Sequence, residues 1–572
     1  MTLRPPRRSP FVTLSGARLA PALAVLVGLQ VLAACADSGS GSTATGGTVI
    51  VATQTDPDIL LPAITNQQQS LVVAEQLFDR LADMGEKLNA VGDAGFTPRL
   101  ARSWTWAGDS LSIAFALNPL ARWHDGVPVR AADVRFTFAL YTDTLTAAPF
   151  GSLLAGIDSV TVRDSLTAVF WFKRRSPQQF FDATYQMYIH PEHLLGSVPR
   201  NQLRSAAFGR APVGSGRFRF VKWDADSRLE IASDTGNYAG RARLDRVIFS
   251  KTSDYQATVN KLFTHEVDVV DNLRPETVPL LAARPELRFT PYRSLSYGFL
   301  QFALRDNGST RAHRLFGDPA LRRAIVLATD RQGMLRSIFD SLAALPVAPA
   351  PRALIPDDSG LGLPAFDPGA AALLLDSLGW QRSGADGMRA RRGVPLRFAV
   401  MVPGVSRNRV RFATLLQAQL RAAGVQVDIE TVEPPVFIDR LTKRTFDAVI
   451  NALTTDPTPA SVRQSWGSAT ALLKDGANHG SYMNPVFDAL VDSGTASWSP
   501  VASRRYYARA YRVMNADAPA IWLYEPPNAI ATHARLQFPR PRAIGWWVGL
   551  ADWSIPPAQR IARDRAIATS KR

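Results

Sequence analysis

Apolar residues alternate, or recur at helical spacing, in short blocks from about residue 47 onward. Leu111, Ile113, Phe115 and Leu117 alternate with smaller or polar neighbours, which predicts a strand with one buried face. Val160 to Phe172 carries two such runs broken at Asp164-Ser165, the pattern of a hairpin. Further on, Leu396, Phe398, Val400 and Val402 alternate, then Phe412, Leu415, Leu416 and Leu420 recur at helical spacing. Gly424 comes next, where a helix end favours a left-handed residue, and Val425, Val427 and Ile429 alternate again. Strand, helix and strand at this spacing predict a βαβ unit with parallel strands. Upstream, Asp367-Pro368 opens "AAALLLDSLGW" as N-cap and first helical residue, and Gly379 closes it. Short strands and helices alternate without a repeat, so the chain reads as an α/β or α+β body rather than a bundle.

The N-terminus departs from this pattern. Arg4, Arg7 and Arg8 precede an uncharged stretch, "LAPALAVLVGLQVLAA" from Leu19 to Ala34, too short for an ordinary membrane span and closed by small residues. It ends in Leu32-Ala33-Ala34-Cys35, which resembles the lipobox of bacterial lipoproteins. The resemblance implies that residues 1–34 are a signal peptide and that Cys35 carries lipid at the start of the mature chain. Cys35 is the only cysteine, so no internal disulfide can form. The small polar residues after it predict a flexible tether over 35–46.

At 572 residues the chain is long enough for two or three domains. Its net charge of +16 raises a nucleic-acid reading, but the basic residues are mostly Arg, scattered, and form no tract interleaved with aromatics. No nucleic-acid partner is therefore expected. Reactive motifs are missing too: the sequence holds no Gly-x-Ser-x-Gly elbow, no Gly-x-x-x-x-Gly-Lys loop and no His-Glu-x-x-His pair. Gly360-Leu-Gly362 lacks the third glycine of a dinucleotide fingerprint. His190-Pro-Glu-His193 is the one close histidine pair, and Pro191 disfavours the helix that would bring both rings to one face. No enzyme, metal or cofactor is expected. His124-Asp125 in "RWHDGVPVRAADVRFTF" has the look of an acid–base pair. Yet Asp125-Gly126 is a turn signal, Pro128 stiffens its exit and Asp133 suits a helix start. That stretch reads as scaffold.

"PRLARSWTW" (Pro98 to Trp106), together with the His124 stretch after it, resembles the signature of peptide-type solute-binding proteins of ABC importers, the dipeptide- and oligopeptide-binding family 5. "IHPEHLL", "PVGSGRFRFVKW", "FGDPALRRAIVLATDR", "NHGSYMNPVFDALV" and "ADAPAIWLY" continue the resemblance in order over nearly the whole mature chain. It implies a two-lobed, type II periplasmic-binding-protein fold with a hinge and an extra subdomain in lobe I, near 76–206. Lobe I is expected over 47–296 and 519–572, and lobe II over 297–518, with crossings near Tyr297-Gly298 and Ala518-Pro519. By the same resemblance a solute, most simply a short peptide, is buried between the lobes and delivered to an ABC permease. The protein is then a monomer on the periplasmic or outer face of the envelope, anchored through Cys35. A sensor or chaperone on the same fold is the alternative.

Peptide-binding members hold the ligand amine with an Asp four residues before the Pro of an Asp/Glu-Pro pair. In "VINALTTDPTPAS" that pair is Asp456-Pro457, and Leu453 stands at the anchor position. Either Leu453 faces the core, or Asp456 takes the amine, or the ligand has none. Members of the family also carry nickel complexes, haem, sugars and opines, which keeps a non-peptide ligand open. The residues expected at the ligand are Asp56, Tyr297, Phe299, Leu453, Thr454, Thr455, Asp456, Trp466 and Asn478.

Overall fold

The computed structural model describes residues 45–355, 360–383 and 385–565. The expected signal peptide, Cys35 and the expected tether as far as residue 44 lie outside the described residues. Two sheets organise the rest. The larger has seven strands in the order Leu287–Tyr292, Asn528–His533, Val269–Val270, Thr48–Thr53, Arg246–Lys251, Arg228–Ser233 and Phe218–Asp224. Thr48–Thr53 runs parallel to both neighbours at its centre and is buried along nearly its whole length, as a strand covered on both faces must be. The second sheet has five strands in the order Gln426–Val432, Arg397–Pro403, Ala448–Thr454, Ser296–Phe302 and Ala520–Tyr524.

The predicted βαβ unit lies in the second sheet. Arg397–Pro403 pairs in parallel with Gln426–Val432 across the helix Arg407–Ala422, which buries Phe412, Leu416 and Leu420. Gly424 takes φ +83°, the left-handed conformation its position called for. The helix Pro368–Ser377 starts with the Asp367 carboxylate accepting the Ala370 N–H at 2.8 Å.

Between Leu77 and Phe218 the chain builds a separate antiparallel sheet from Ala101–Trp106, Ser112–Leu117, Thr167–Phe172 and Ile157–Asp164. Phe115, Phe170, Phe180 and Trp123 fill its core. The hairpin turns after Asp164 as its pattern predicts, whereas Leu111 falls just outside the strand and is 36% exposed. The His124 ring joins this unit to the larger sheet: Nε2 lies 2.9 Å from Gly216 O, and Nδ1 accepts the Gly214 N–H at 3.1 Å. Asp133 accepts the N–H groups of Arg130 and Glu192. Both side chains are structural.

The two ends of the described chain meet in a buried ion cluster. Asp564 accepts the Thr48 N–H at 2.8 Å and pairs with Arg535 at 2.6 Å. Arg535 pairs in turn with Asp268 at 2.7 Å, and both carboxylates are fully buried. This network closes a lobe assembled from the beginning and the end of the sequence.

The crossings between the two sheets differ from their expected places. Tyr297 and Gly298 lie inside the strand Ser296–Phe302, so the first crossing is Arg293 to Leu295. The return expected at Ala518-Pro519 occurs at residues 525–527, because Ala520–Tyr524 pairs with Ser296–Phe302 in the second sheet. The Tyr524 ring lies directly over Gly298, where a Cβ would stand 2.2 Å from it.

Candidate ligand-binding cleft

A cavity of about 540 Å³ lies at the two crossings. Tyr292, Arg293 and Glu525 line it from the crossings, Ala344 and Arg352 from the five-stranded side, and Arg540 from the seven-stranded side. Glu525 is 5% exposed; its N–H donates to Ala344 O at 2.7 Å and its Oε1 accepts the Arg352 N–H at 2.8 Å. Burial pushes its carboxyl up to about 7, an effect that Arg352 and Arg293 partly oppose.

Beside this cavity the extra subdomain meets the end of the strand Ala448–Thr454. Gln178 Nε2 donates to Thr458 Oγ1 at 2.6 Å, and Arg175 lies over the Trp498 ring at 5.5 Å. A second cavity of about 120 Å³ opens here between Leu88, Gln178, Thr458 and Tyr507. Asp456 faces the helix Gln179–Thr184 and the residues just beyond its C-terminus: burial raises its carboxyl, and a hydrogen bond from Gln186 pulls the other way. Asp182 on that helix is pushed up to about 7 by burial and, secondarily, by the charge of Asp456. Two carboxyls from opposite sides of the seam thus share one field, with no cation paired to either among the described residues. Such a pair favours either a proton or a ligand's positive group.

The expected site residues divide. Asp456 reaches the seam. Thr455 ties it to the first crossing, its N–H and Oγ1 both donating to Leu295 O at 2.9 and 3.2 Å. Thr454 Oγ1 lies 2.7 Å from Ser296 Oγ. Leu453 is half-buried against the aromatic cluster of the second sheet, so the residue at the anchor position is a packing residue. Tyr297, Phe299, Trp466 and Asn478 are not among the residues lining either cavity. Tyr297 and Phe299 project from one face of their strand into that cluster with Trp466, whose Nε1 donates to Tyr297 Oη at 3.0 Å. Asn478 spends its amide on the carbonyls of Gly467 and Tyr482 and on the Tyr482 N–H. Asp56 accepts the Asp226 N–H at 2.5 Å and is not among the residues lining the hinge cavity. His190 is buried and stacked on Phe78, while His193 pairs with Asp125 at 2.7 Å. Each ring of that pair is engaged in a different contact.

Sequence reasoning missed Asp182, Gln186, Arg352, Glu525 and Arg540. For two of them a signal was present: Asp182 in "QQFFDATY" and Glu525 in "AIWLYEPPN" are lone acids set in apolar runs.

The profile of the bacterial extracellular solute-binding proteins, family 5 (middle), matches residues 95–471. An oligopeptide-binding protein of Bacillus subtilis, AppA, is 24% identical over 533 residues, covering 90% of this chain and 94% of that protein. A putative ABC transporter peptide-binding protein of Brucella ovis is 27% identical over 453 residues, covering 77% and 80%. Among solved structures, AppA of Bacillus subtilis in complex with a nonapeptide gives a TM-score of 0.73 at 22% identity, covering 89% of this chain and 99% of that one. DppA of Helicobacter pylori with the peptide STSA gives 0.72 at 19% identity, covering 90% and 98%. The fold is therefore that of the two-lobed periplasmic binding proteins.

Proposed function

This chain belongs to the family 5 bacterial extracellular solute-binding proteins, which bind solutes rather than transform them, and from that membership we propose that it captures a short peptide between its lobes and delivers it to an ABC permease. The observation that carries this reading is the cavity of about 540 Å³ at the crossings, walled by strand ends of the seven-stranded sheet on one side and by the chain from Leu342 to Leu361 on the other. A ligand seated there touches both lobes, so its binding energy favours the closed arrangement. Relatives along most of the chain carry peptide-binding names, which supports a peptide over other solutes.

Within the cleft Asp456 replaces the acidic anchor that Leu453 cannot supply. A buried ammonium needs a carboxylate, and Asp456 with Asp182 across the seam offers two. Thr454 and Thr455 position the end of the strand on which Asp456 sits. The protein acts as a monomer, held to the bacterial envelope through lipid on Cys35. Replacement of Cys35 by serine is expected to move it from the membrane fraction to the soluble one. The binding reading is tested by native mass spectrometry of the chain from residue 36 with a mixed tripeptide pool. One bound peptide per monomer is the expected species; a spectrum of unliganded protein alone, at millimolar peptide, refutes it.

A further inference from the structure

We propose that a basic face flanking the seam docks onto the anionic headgroups of a phospholipid bilayer. The inference goes beyond peptide capture and does not depend on it. On the subdomain side, Lys173, Arg174 and Arg175 follow the strand Thr167–Phe172 and are all exposed. On the other side, the helix Pro500–Asp517 buries Tyr507, Tyr511 and Met514 and turns Arg504, Arg505 and Arg509 to solvent. The two sets meet across the seam. Arg175 lies over the Trp498 ring at 5.5 Å, and Arg504 lines the same small cavity as Gln178.

These charges are left without local counterions. From Lys173 to Gln179, and from Ser497 to Ala516, the chain holds no acid. Asp492, the last acid before Trp498 in the sequence, pairs with Arg463. The side chains of Lys173, Arg174, Arg504, Arg505 and Arg509 make no hydrogen bond or ion pair among the described residues. Beside them Trp498 is 48% exposed and Val501 53%. Guanidinium forks match phosphate oxygens, and indole rings settle at the headgroup level of a bilayer. This mixture favours a bilayer over an acidic protein segment, which would offset the charge but give the indole no apolar phase. The lipid proposed on Cys35 would hold the whole body beside such a surface.

The test is co-sedimentation of the chain from residue 36, which lacks Cys35 and its lipid, with vesicles at low salt. One set contains phosphatidylglycerol and phosphatidylcholine, the other phosphatidylcholine alone. The wild type is expected to partition onto the anionic set at least about tenfold more, since each basic residue near a charged bilayer contributes about fivefold. Arg504→Gln with Arg505→Gln, and separately Arg174→Gln with Arg175→Gln, should each lower that partition by about tenfold or more. A net charge of +16 draws the chain toward anions in general. The control is therefore Arg163→Gln with Arg421→Gln, two exposed arginines outside this face, and its loss should stay within about twofold because salt screens distant charges. Equal partition of the wild type onto both vesicle sets overturns the proposal. An equal loss in the control pair assigns the binding to net charge and overturns it as well. Release from vesicles by millimolar inorganic phosphate, but not by chloride of equal ionic strength, assigns the face to free phosphate and overturns it. Tighter binding of a polyglutamate peptide than of anionic vesicles does the same in favour of an acidic protein. Unchanged thermal midpoints show that the variants fold, and the wild-type comparison decides without them.

Discussion

Asp456 and Leu453 stand three residues apart and show how side-chain direction decides role. Leu453 joins the aromatic core while Asp456 enters the seam between the lobes. Asp456→Asn is expected to weaken binding of free-amine peptides by about tenfold or more, with N-acetylated peptides unaffected, as read by calorimetric titration. Tyr297→Phe removes one buried hydrogen bond, to Trp466, and is expected to lower unfolding free energy by about 1 kcal/mol without changing ligand affinity. A loss of affinity would return Tyr297 to the cleft. Glu525 makes stability depend on pH. Its carboxyl titrates near 7 when folded against 4.5 in the unfolded chain. As pH rises through that interval the unfolded chain loses its proton first, so the folded state loses stability, and the loss is complete above 7. Arg293 and Arg352 limit the effect. Glu525→Gln should therefore stabilise the protein at pH 8 by about 1–3 kcal/mol and change little at pH 4.5, as followed by urea unfolding. Neither the tyrosine's place nor the acid's elevation was legible in sequence. An aromatic beside a lobe crossing fits a core or a cleft equally well, and the carboxyl shift depends on distant chain that excludes water.

At the scale of elements, periodicity was the reliable signal. The unit from Arg397 to Val432 formed in the predicted order, with the predicted parallel strands, because its apolar spacing suits a parallel pair covered by a helix. The hairpin around Asp164 and the cap at Asp367 formed for equally local reasons. The crossings were misplaced because strand membership is a long-range property: Ala520–Tyr524 looks like any buried strand until its partner, Ser296–Phe302, is known. Closure of the first lobe is likewise invisible locally, since it rests on Asp268, Arg535 and Asp564, brought together from the middle and the end of the chain. Asp268→Asn leaves Arg535 and Arg563 short of a buried partner. It is expected to cost about 3 kcal/mol, measured by denaturant unfolding, and to loosen the N-terminal strand in hydrogen exchange.

For the whole molecule, the two sheets, the subdomain and its contacts across the seam act together. On the proposed reading, ligand at the crossings and closure of the lobes are the same event seen from two sides. Gln178 with Thr458 and Arg175 with Trp498 already join subdomain to second lobe. The central claim is capture of a short peptide in that seam. It is tested most directly by the thermal midpoint of the chain from residue 36 with a mixed tripeptide pool and with its N-acetylated twin. At about a hundred times the dissociation constant, free peptides should stabilise the protein by roughly 2.7 kcal/mol, and the acetylated pool by clearly less. No shift with either pool would contradict peptide capture.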